Sequence, residues 1–287
     1  MIKDWLMERH MIEQQIFAEY LDHMGSDLTV VNAARGSFDK ESDWHVRYAT
    51  VEEYANGEPL MTQVLKPADA NLIRFLATGF RTSEWDGFLD QIINTVIHME
   101  HEGTVETAKE ELTAMLRAYK RKPQHWAPFG HPHVQIRVSM PIFLARQFVK
   151  HQVGGVWSEV SRRYISDEPG VWFPAEWHTR PEDIKQGSGG PVDRQDYCRN
   201  IATNSTDSAL ETYQDLLGLG VAPEEARIVL PLNMMTTVVW TGSLLFWSRV
   251  NNLRVDDHAQ LAAQELGKLI AAIVEPLYPT SWKELTT

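Results

Sequence analysis

Arg146 to Tyr164 reads R-Q-F-V-K-H-Q-V-G-G-V-W-S-E-V-S-R-R-Y, packing cationic and imidazole groups, a carboxylate, hydroxyls and a Gly-Gly pair into one short stretch. Arg, Lys and His donate hydrogen bonds to phosphate, adjacent glycines let backbone amides approach a ligand, and Glu159 with Ser161 can orient a base or a sugar. The guest these groups suit is a phosphorylated heterocycle. A solvated, charged helix end draws on the same residue types, and the flanking sequence has to separate the two.

Just upstream, Val134, Ile136 and Val138 alternate with Gln135 and Arg137, which predicts a half-buried strand over His133 to Val138. Pro141 suits the first turn of a helix running through P-I-F-L-A-R-Q-F-V-K-H. On it Arg146 and Lys150 are i,i+4 neighbours, Gln147 and His151 form the adjoining ridge, and Gly154-Gly155 end the run. The helix is expected to deliver a cationic cluster into a flexible loop.

Farther out, Trp5, Leu6, Ile12, Ile16, Phe17 and Leu21 recur at roughly helical spacing and predict a leading helix that stops at Met24-Gly25. Helical patterns fill the region from about Lys66 to Arg121, including Ala108 to Tyr119 with Leu112, Met115, Leu116 and Tyr119 on one stripe. On the other side, Gly187 to Pro191 is a loop. Ser205 to Leu217 reads as a helix with Leu210, Tyr213, Leu216 and Leu217 on its apolar face, and Pro223-Glu224-Glu225 starts another with acids in its first turn.

At 287 residues, 43% hydrophobic and 23% charged, the chain can bury one large core or two small ones. No apolar run approaches the roughly 18 residues that span a bilayer, and the mixed-charge start does not suit a signal peptide, so no membrane partner and a cytoplasmic setting are expected. The lone Cys198 excludes an internal disulfide framework and sits in no nucleophile motif. A formal charge of -12 argues against a nucleic-acid partner, which needs a basic face, and favours a small anionic metabolite. His131 and His133 have a spacing a metal could use, but no third ligand is evident and no metal is expected. Neither G-x-G-x-x-G nor G-K-[ST] occurs.

Three further segments stand in order with the first: D-L-T-V-V-N-A-A-R-G-S-F from Asp27, A-R-I-V-L-P from Ala226 and N-L-R-V-D-D-H-A-Q from Asn252. Together with Arg146-Gln147, Lys150-His151-Gln152 and Glu159 to Tyr164 they resemble the signature of the flavin-dependent thymidylate synthases, the ThyX family, in a phage-like form. The departures are Ser158 for an asparagine, Gly130 for the glutamate of an H-x-x-P-F-E-H segment, Ser243-Leu244-Leu245 where N-x-R is usual, and Arg249 for a further asparagine.

The resemblance implies an α+β fold with a central mixed β-sheet flanked by helices. It implies one catalytic domain over residues 1–287 carrying a helical insertion at about 66–121, and a homotetramer with shared active sites. The implied reaction is methylation of dUMP at C5, with 5,10-methylenetetrahydrofolate as carbon donor and FAD carrying hydride from NADPH. Arg254 then falls against the uracil ring as the catalytic group. Arg146, Gln147, Lys150, Glu159, Val160, Ser161, Arg162, Arg163 and Arg227 fall on the substrate. Ser37, His125, Lys150, His151, Gln152, Ser158, Glu159, Ser243, Arg249, Leu253 and His258 fall on the flavin.

Physical chemistry supports Arg254 separately, because a guanidinium at the O2/N3 edge of uracil stabilises negative charge and makes C5 electron-rich without a covalent enzyme adduct. The plainer alternative for Arg254 is a salt bridge to Asp256 or Asp257. Two rival activities share most of these residues: a hydroxymethylase making 5-hydroxymethyl-dUMP, and a nucleotide-binding homologue without redox chemistry. A phage-encoded protein would act in the host cytoplasm.

Overall fold

The computed structural model describes residues 11–79, 87–95, 112, 115, 124–181 and 187–286. Along the chain these form β1 (Phe17–Met24), α1 (Asp27–Arg35), β2 (His45–Tyr48), α2 (Val51–Ala55), β3 (Met61–Val64), α3 (Pro67–Thr78), a helical stretch at 87–95, and β4 (His133–Pro141). There follow α4 (Ile142–Phe148), β5 (Gly155–Glu159), α5 (Gln195–Gly218), α6 (Pro223–Ala226), β6 (Met235–Ser243), α7 (Leu244–Arg254), α8 (Leu261–Val274) and α9 (Pro279–Thr286). The fold is α+β, as expected. Among the described residues no helix is long and apolar enough to cross a membrane.

Two compact units share the chain. The first takes the chain up to His23, Val134–Gly242 and Phe246–Val274. Its frame is a four-stranded sheet ordered β1-β4-β6-β5, with β5 and β6 antiparallel. In β4, Val134, Ile136, Val138 and Met140 are fully buried while Gln135 reaches Thr241 Oγ1 at 2.9 Å and Arg137 reaches Glu19 at 2.6 Å, so the alternation read from sequence is realised as one core face and one polar face. β6 (M-T-T-V-V-W-T-G-S) is rich in β-branched residues and lies between β4 and β5.

Over its described part the leading helix is corrected by this sheet, residues 1–10 lying outside the described residues. Phe17–Met24 is an edge strand, because a short segment with apolar residues three to five apart satisfies either period and pairing in the sheet decides between them. Pro141 ends β4 and caps α4, and the helix stops at Phe148, so Lys150 and His151 lie in the turn after it. α5 starts ten residues earlier than expected and buries Thr206, Leu210 and Tyr213. Ala108 to Tyr119 lies outside the described residues apart from Leu112 and Met115, both helical.

The core of this unit is aromatic. Trp240 meets Phe148, Trp157, Phe246 and Trp247 edge-on, with ring centroids 6.0, 5.0, 5.2 and 4.9 Å away. Gly155 and Gly242 are opposite each other in the β5/β6 register, and a Cβ on either would run into the Phe246 ring, at 2.6 Å in the case of Gly155. The second glycine of the Gly-Gly pair thus serves packing rather than ligand approach, while Gly154, at φ 88, makes the turn.

The second unit takes Met24–His133, Ser243–Leu245 and the chain from Glu275. Asp27, at the start of α1, is 2% exposed and accepts the backbone N–H groups of Thr280 and Ser281 at 2.8 and 2.9 Å, capping α9. Fully buried Asp69 of α3 accepts from Arg35 Nε at 3.1 Å and from the Ser42 hydroxyl, tying α1, α3 and the connection after α1 together. β2 and β3 form a separate antiparallel hairpin.

Replacing Gly242 by alanine should lower the free energy of unfolding by about 1–3 kcal/mol in urea or thermal denaturation, since the aromatic cluster must move to admit a methyl. Gly218→Ala, where an added Cβ meets nothing within 4 Å, should be neutral or stabilise by about 0.5 kcal/mol.

Candidate active site

In the first unit the C-termini of α4 and α7 bring Gln147, His151 and Arg254 into one hydrogen-bonded cluster. Arg254 Nε donates to His151 Nε2 at 3.0 Å and its Nη2 donates to the Gln147 carbonyl oxygen at 2.9 Å. The guanidinium carbon stands 5.4 Å from the centre of the Phe148 ring, so the aromatic core supports the cation from behind. Neither Asp256 nor Asp257 pairs with it; Asp256 instead accepts the backbone N–H of His258 at 2.8 Å. Gln147 is held at its other end too, its Nε2 donating to Gln260 Oε1 at 2.6 Å.

The protonation states follow from this geometry. Burial, and then the charge of Arg254, push the His151 pKa down to about 4, so the ring is neutral at pH 7 with its proton on Nδ1 and its Nε2 lone pair turned to Arg254. Burial lowers the Arg254 pKa as well, and the group stays a cation. A guanidinium has five N–H donors, and the two bonds leave three for a ligand. Both acceptors are uncharged, and among the described residues no carboxylate pairs with the cation.

Around this cluster the other expected residues take separate stations. Lys150, His151, Gln152, Arg249 and Leu253 line one cavity of about 350 Å³ with Phe246 as an apolar wall. Ser158 and Glu159 lie on β5, an edge strand of the sheet, where Glu159 accepts from Thr236 Oγ1 at 2.8 Å. Val160 continues the pairing to Thr237, and in the turn beyond it Arg163 Nε donates to Ser161 Oγ at 3.2 Å while Arg162 is engaged by Asp167. Arg227 Nε donates to the Glu224 carbonyl oxygen at 3.1 Å. Arg146, Lys150 and Arg249 are exposed and pair with no described residue.

In the second unit Ser37 and His125 line a common cavity of about 1410 Å³ together with Arg35, Lys40, Phe75 and Trp126, and His125 stacks on Phe75 at 5.4 Å. Gly130 faces open space, so the missing glutamate is not a packing requirement. Ser243 is buried at the end of β6, 7% exposed, and His258 is exposed and lines none of these cavities. Among the described residues no three His, Cys, Asp or Glu side chains form a metal site, and His133 Nδ1 is engaged by the His131 carbonyl oxygen at 2.9 Å.

The sequence profile of the family described as thymidylate synthase complementing protein matches residues 19–280. The chain belongs to this family. The flavin-dependent thymidylate synthase of Kosmotoga olearia is 31% identical over 170 residues, 58% of this chain and 72% of the relative, and that of Ehrlichia ruminantium strain Gardel is 27% identical over 285 residues, 98% and 74% of the two chains. The fold matches the crystal structure of the UMP/dUMP methylase PolB from Streptomyces cacaoi bound with 5-Br dUMP, with a TM-score of 0.65 and 22% identity over 96% of this chain and 97% of that one.

The residues of this family member fit a flavin. The smaller cavity joins an apolar wall to Lys150 and Arg249, which pair with no described residue, and the larger one joins Phe75 and Trp126 to Lys40, so each offers the apolar surface and the cation that a flavin and its phosphates need. Arg249, where asparagine was expected from the resemblance, is an exposed cation lining the smaller cavity. Two residues were not singled out from sequence. Gln260 stands in the H-A-Q run, where only its polarity could have marked it, and Asp69 shows its importance only through burial.

Nitrogen-detected NMR at pH 7 should show His151 neutral with Nδ1 protonated, titrating near 4, and Arg254→Ala should move that titration upward. Because the folded pKa lies below the ordinary 6.5, His151 contributes stability above pH 6.5 that is lost as pH falls from there through about 4.

Proposed function

We propose that the chain converts dUMP to dTMP without a thiol nucleophile: dUMP, 5,10-methylenetetrahydrofolate, NADPH and a proton give dTMP, tetrahydrofolate and NADP⁺. FAD, when bound, supplies hydride transfer from NADPH to the transferred carbon. The observation that carries the reading is Arg254, a cation whose partners among the described residues are neutral acceptors, with three N–H groups left over.

Uracil attacks a one-carbon electrophile through C5 when negative charge on its imide edge is stabilised. A preorganised guanidinium in a half-buried site does this better than water, because its donors are already aimed and need no reorganisation. A salt-bridged arginine would be far weaker in this role. Neutral His151 and the Gln147 carbonyl hold Arg254 in place without cancelling its charge. Cys198, on α5, contributes to none of the cavities described above and is left out of the chemistry.

Gln147, Arg146, Arg163 and Arg227 hold the nucleotide in this reading. Lys150, His151, Gln152, Arg249, Leu253 and His258 serve the flavin in this reading, as do Ser37 and His125. Ser158 to Arg162 lie on or just after an exposed sheet edge, which suits them to serve a neighbouring chain of a homotetramer. The reaction is a cytoplasmic one.

Arg254→Ala should lower turnover at least 100-fold while the melting temperature changes little, and Arg254→Lys should recover only part of it because a point charge replaces a fork. Cys198→Ala should keep near wild-type turnover. A visible spectrum of the purified protein decides the cofactor: bound flavin should bleach with NADPH and reoxidise when dUMP and methylenetetrahydrofolate are added. A colourless protein that takes up no added FAD would remove the reading.

A further inference from the structure

Glu159 is a carboxylate at the end of an apolar face. In the β5/β6 register Gly155 is opposite Gly242, Trp157 opposite Trp240 and Glu159 opposite Val238. Side chains alternate along a strand, so Gly155, Trp157 and Glu159 share the face that packs Trp240 and Phe246. The first two positions serve the aromatic core, whereas the third is an exposed acid. Packing alone gives no reason for it.

Hydrogen bonds on that face account for how the acid is held. Val238, its direct cross-strand partner, is 1% exposed and has no polar side-chain atom to offer. The diagonal neighbour on β6 is Thr236, 7% exposed, whose Oγ1 donates to Glu159 Oε1 at 2.8 Å. Trp157 Nε1, two residues back on β5, reaches the other carboxylate oxygen at 3.4 Å. Thr236 is the firmer support, because β6 is paired on both sides by β4 and β5 and a β-branched side chain has few rotamers.

Both donors are neutral, and among the described residues no lysine, arginine or histidine pairs with Glu159. A carboxylate has about four lone-pair sites, so two donors leave room for the N–H or O–H groups of a ligand. A long side chain on an edge strand otherwise samples many rotamers, and fixing it in advance lowers the entropy lost when a ligand binds.

We infer that Thr236 is a positioning residue for nucleotide binding: its buried hydroxyl holds the Glu159 carboxylate in one orientation before the substrate arrives. The inference rests on the reading of Glu159 as a substrate contact. Thr236 acts through Glu159 and needs no contact with the ligand itself.

The test is isothermal titration of the full-length flavin-loaded protein with dUMP, arranged as a double-mutant cycle. Glu159→Ala should weaken binding by about tenfold or more, and Thr236→Val by about fivefold with little change in melting temperature, since valine keeps the buried volume. Thr236→Ser keeps the donor and should stay within about twofold of the wild type. In the Glu159→Ala background Thr236→Val should add less than about twofold, because the hydroxyl then has nothing to orient.

Thr236→Ala takes the place of the valine variant in the same cycle should valine not fold. Unchanged dUMP affinity on loss of the hydroxyl, a serine variant as weak as valine, or a full-sized Thr236→Val effect in the Glu159→Ala background overturns the inference. Unchanged affinity in Glu159→Ala strikes the reading of Glu159 as a substrate contact, and the inference falls with it.

Discussion

The bond from Arg254 to a neutral imidazole is the constraint on which the site depends. A half-buried guanidinium is ordinarily matched by a carboxylate, which lowers the cost of desolvation and also cancels the field that a substrate could use. Here the partners are the His151 Nε2 and the Gln147 carbonyl. Burial and the arginine charge keep the histidine unprotonated, and the unprotonated histidine fixes the arginine. The two groups hold each other in the states that leave positive charge available.

The scaffold explains how such a cation is tolerated. α4 ends at Phe148, whose ring lies under the guanidinium on one side and edge-on to Trp240 on the other. The end of a helix exposes carbonyl oxygens and carries partial negative charge, so Arg254 sits where the backbone itself favours a cation. The facing glycines of β5 and β6 let Phe246 close the aromatic cluster, and Phe246 also walls the cavity next to His151. Packing and chemistry therefore share residues, and the same ring that completes the core shapes the ligand surface.

The departures from the usual family pattern read differently once placed. Gly130 faces open space, and Arg249 is an exposed cation on the rim of a cavity, so neither change damages the fold. Ser243 is buried at a strand end. Asp69, in a segment without any motif, organises α1 and the connection that follows it, so part of that segment is structural support for the Ser37 wall.

What the sequence by itself determined was the chemistry at hand: which cations, amides and imidazoles occur in which runs, the buried face of β4, the start of the helix after Pro141, and membership of a family whose motifs are short and ordered. Those are local or colinear properties, written in residue type and period. It did not determine that Phe17–Met24 would be a strand, because a few apolar residues at ambiguous spacing are assigned only by the neighbour they pair with. Nor could it say which partner Arg254 would choose. Asp256 and Asp257 are nearest in the chain, but the folded backbone delivers His151 and Gln147 from more than a hundred residues away, and a hydrogen bond depends on distance in space rather than along the sequence. Tertiary structure alone decided that neutral acceptors, rather than the adjacent carboxylates, would hold the arginine.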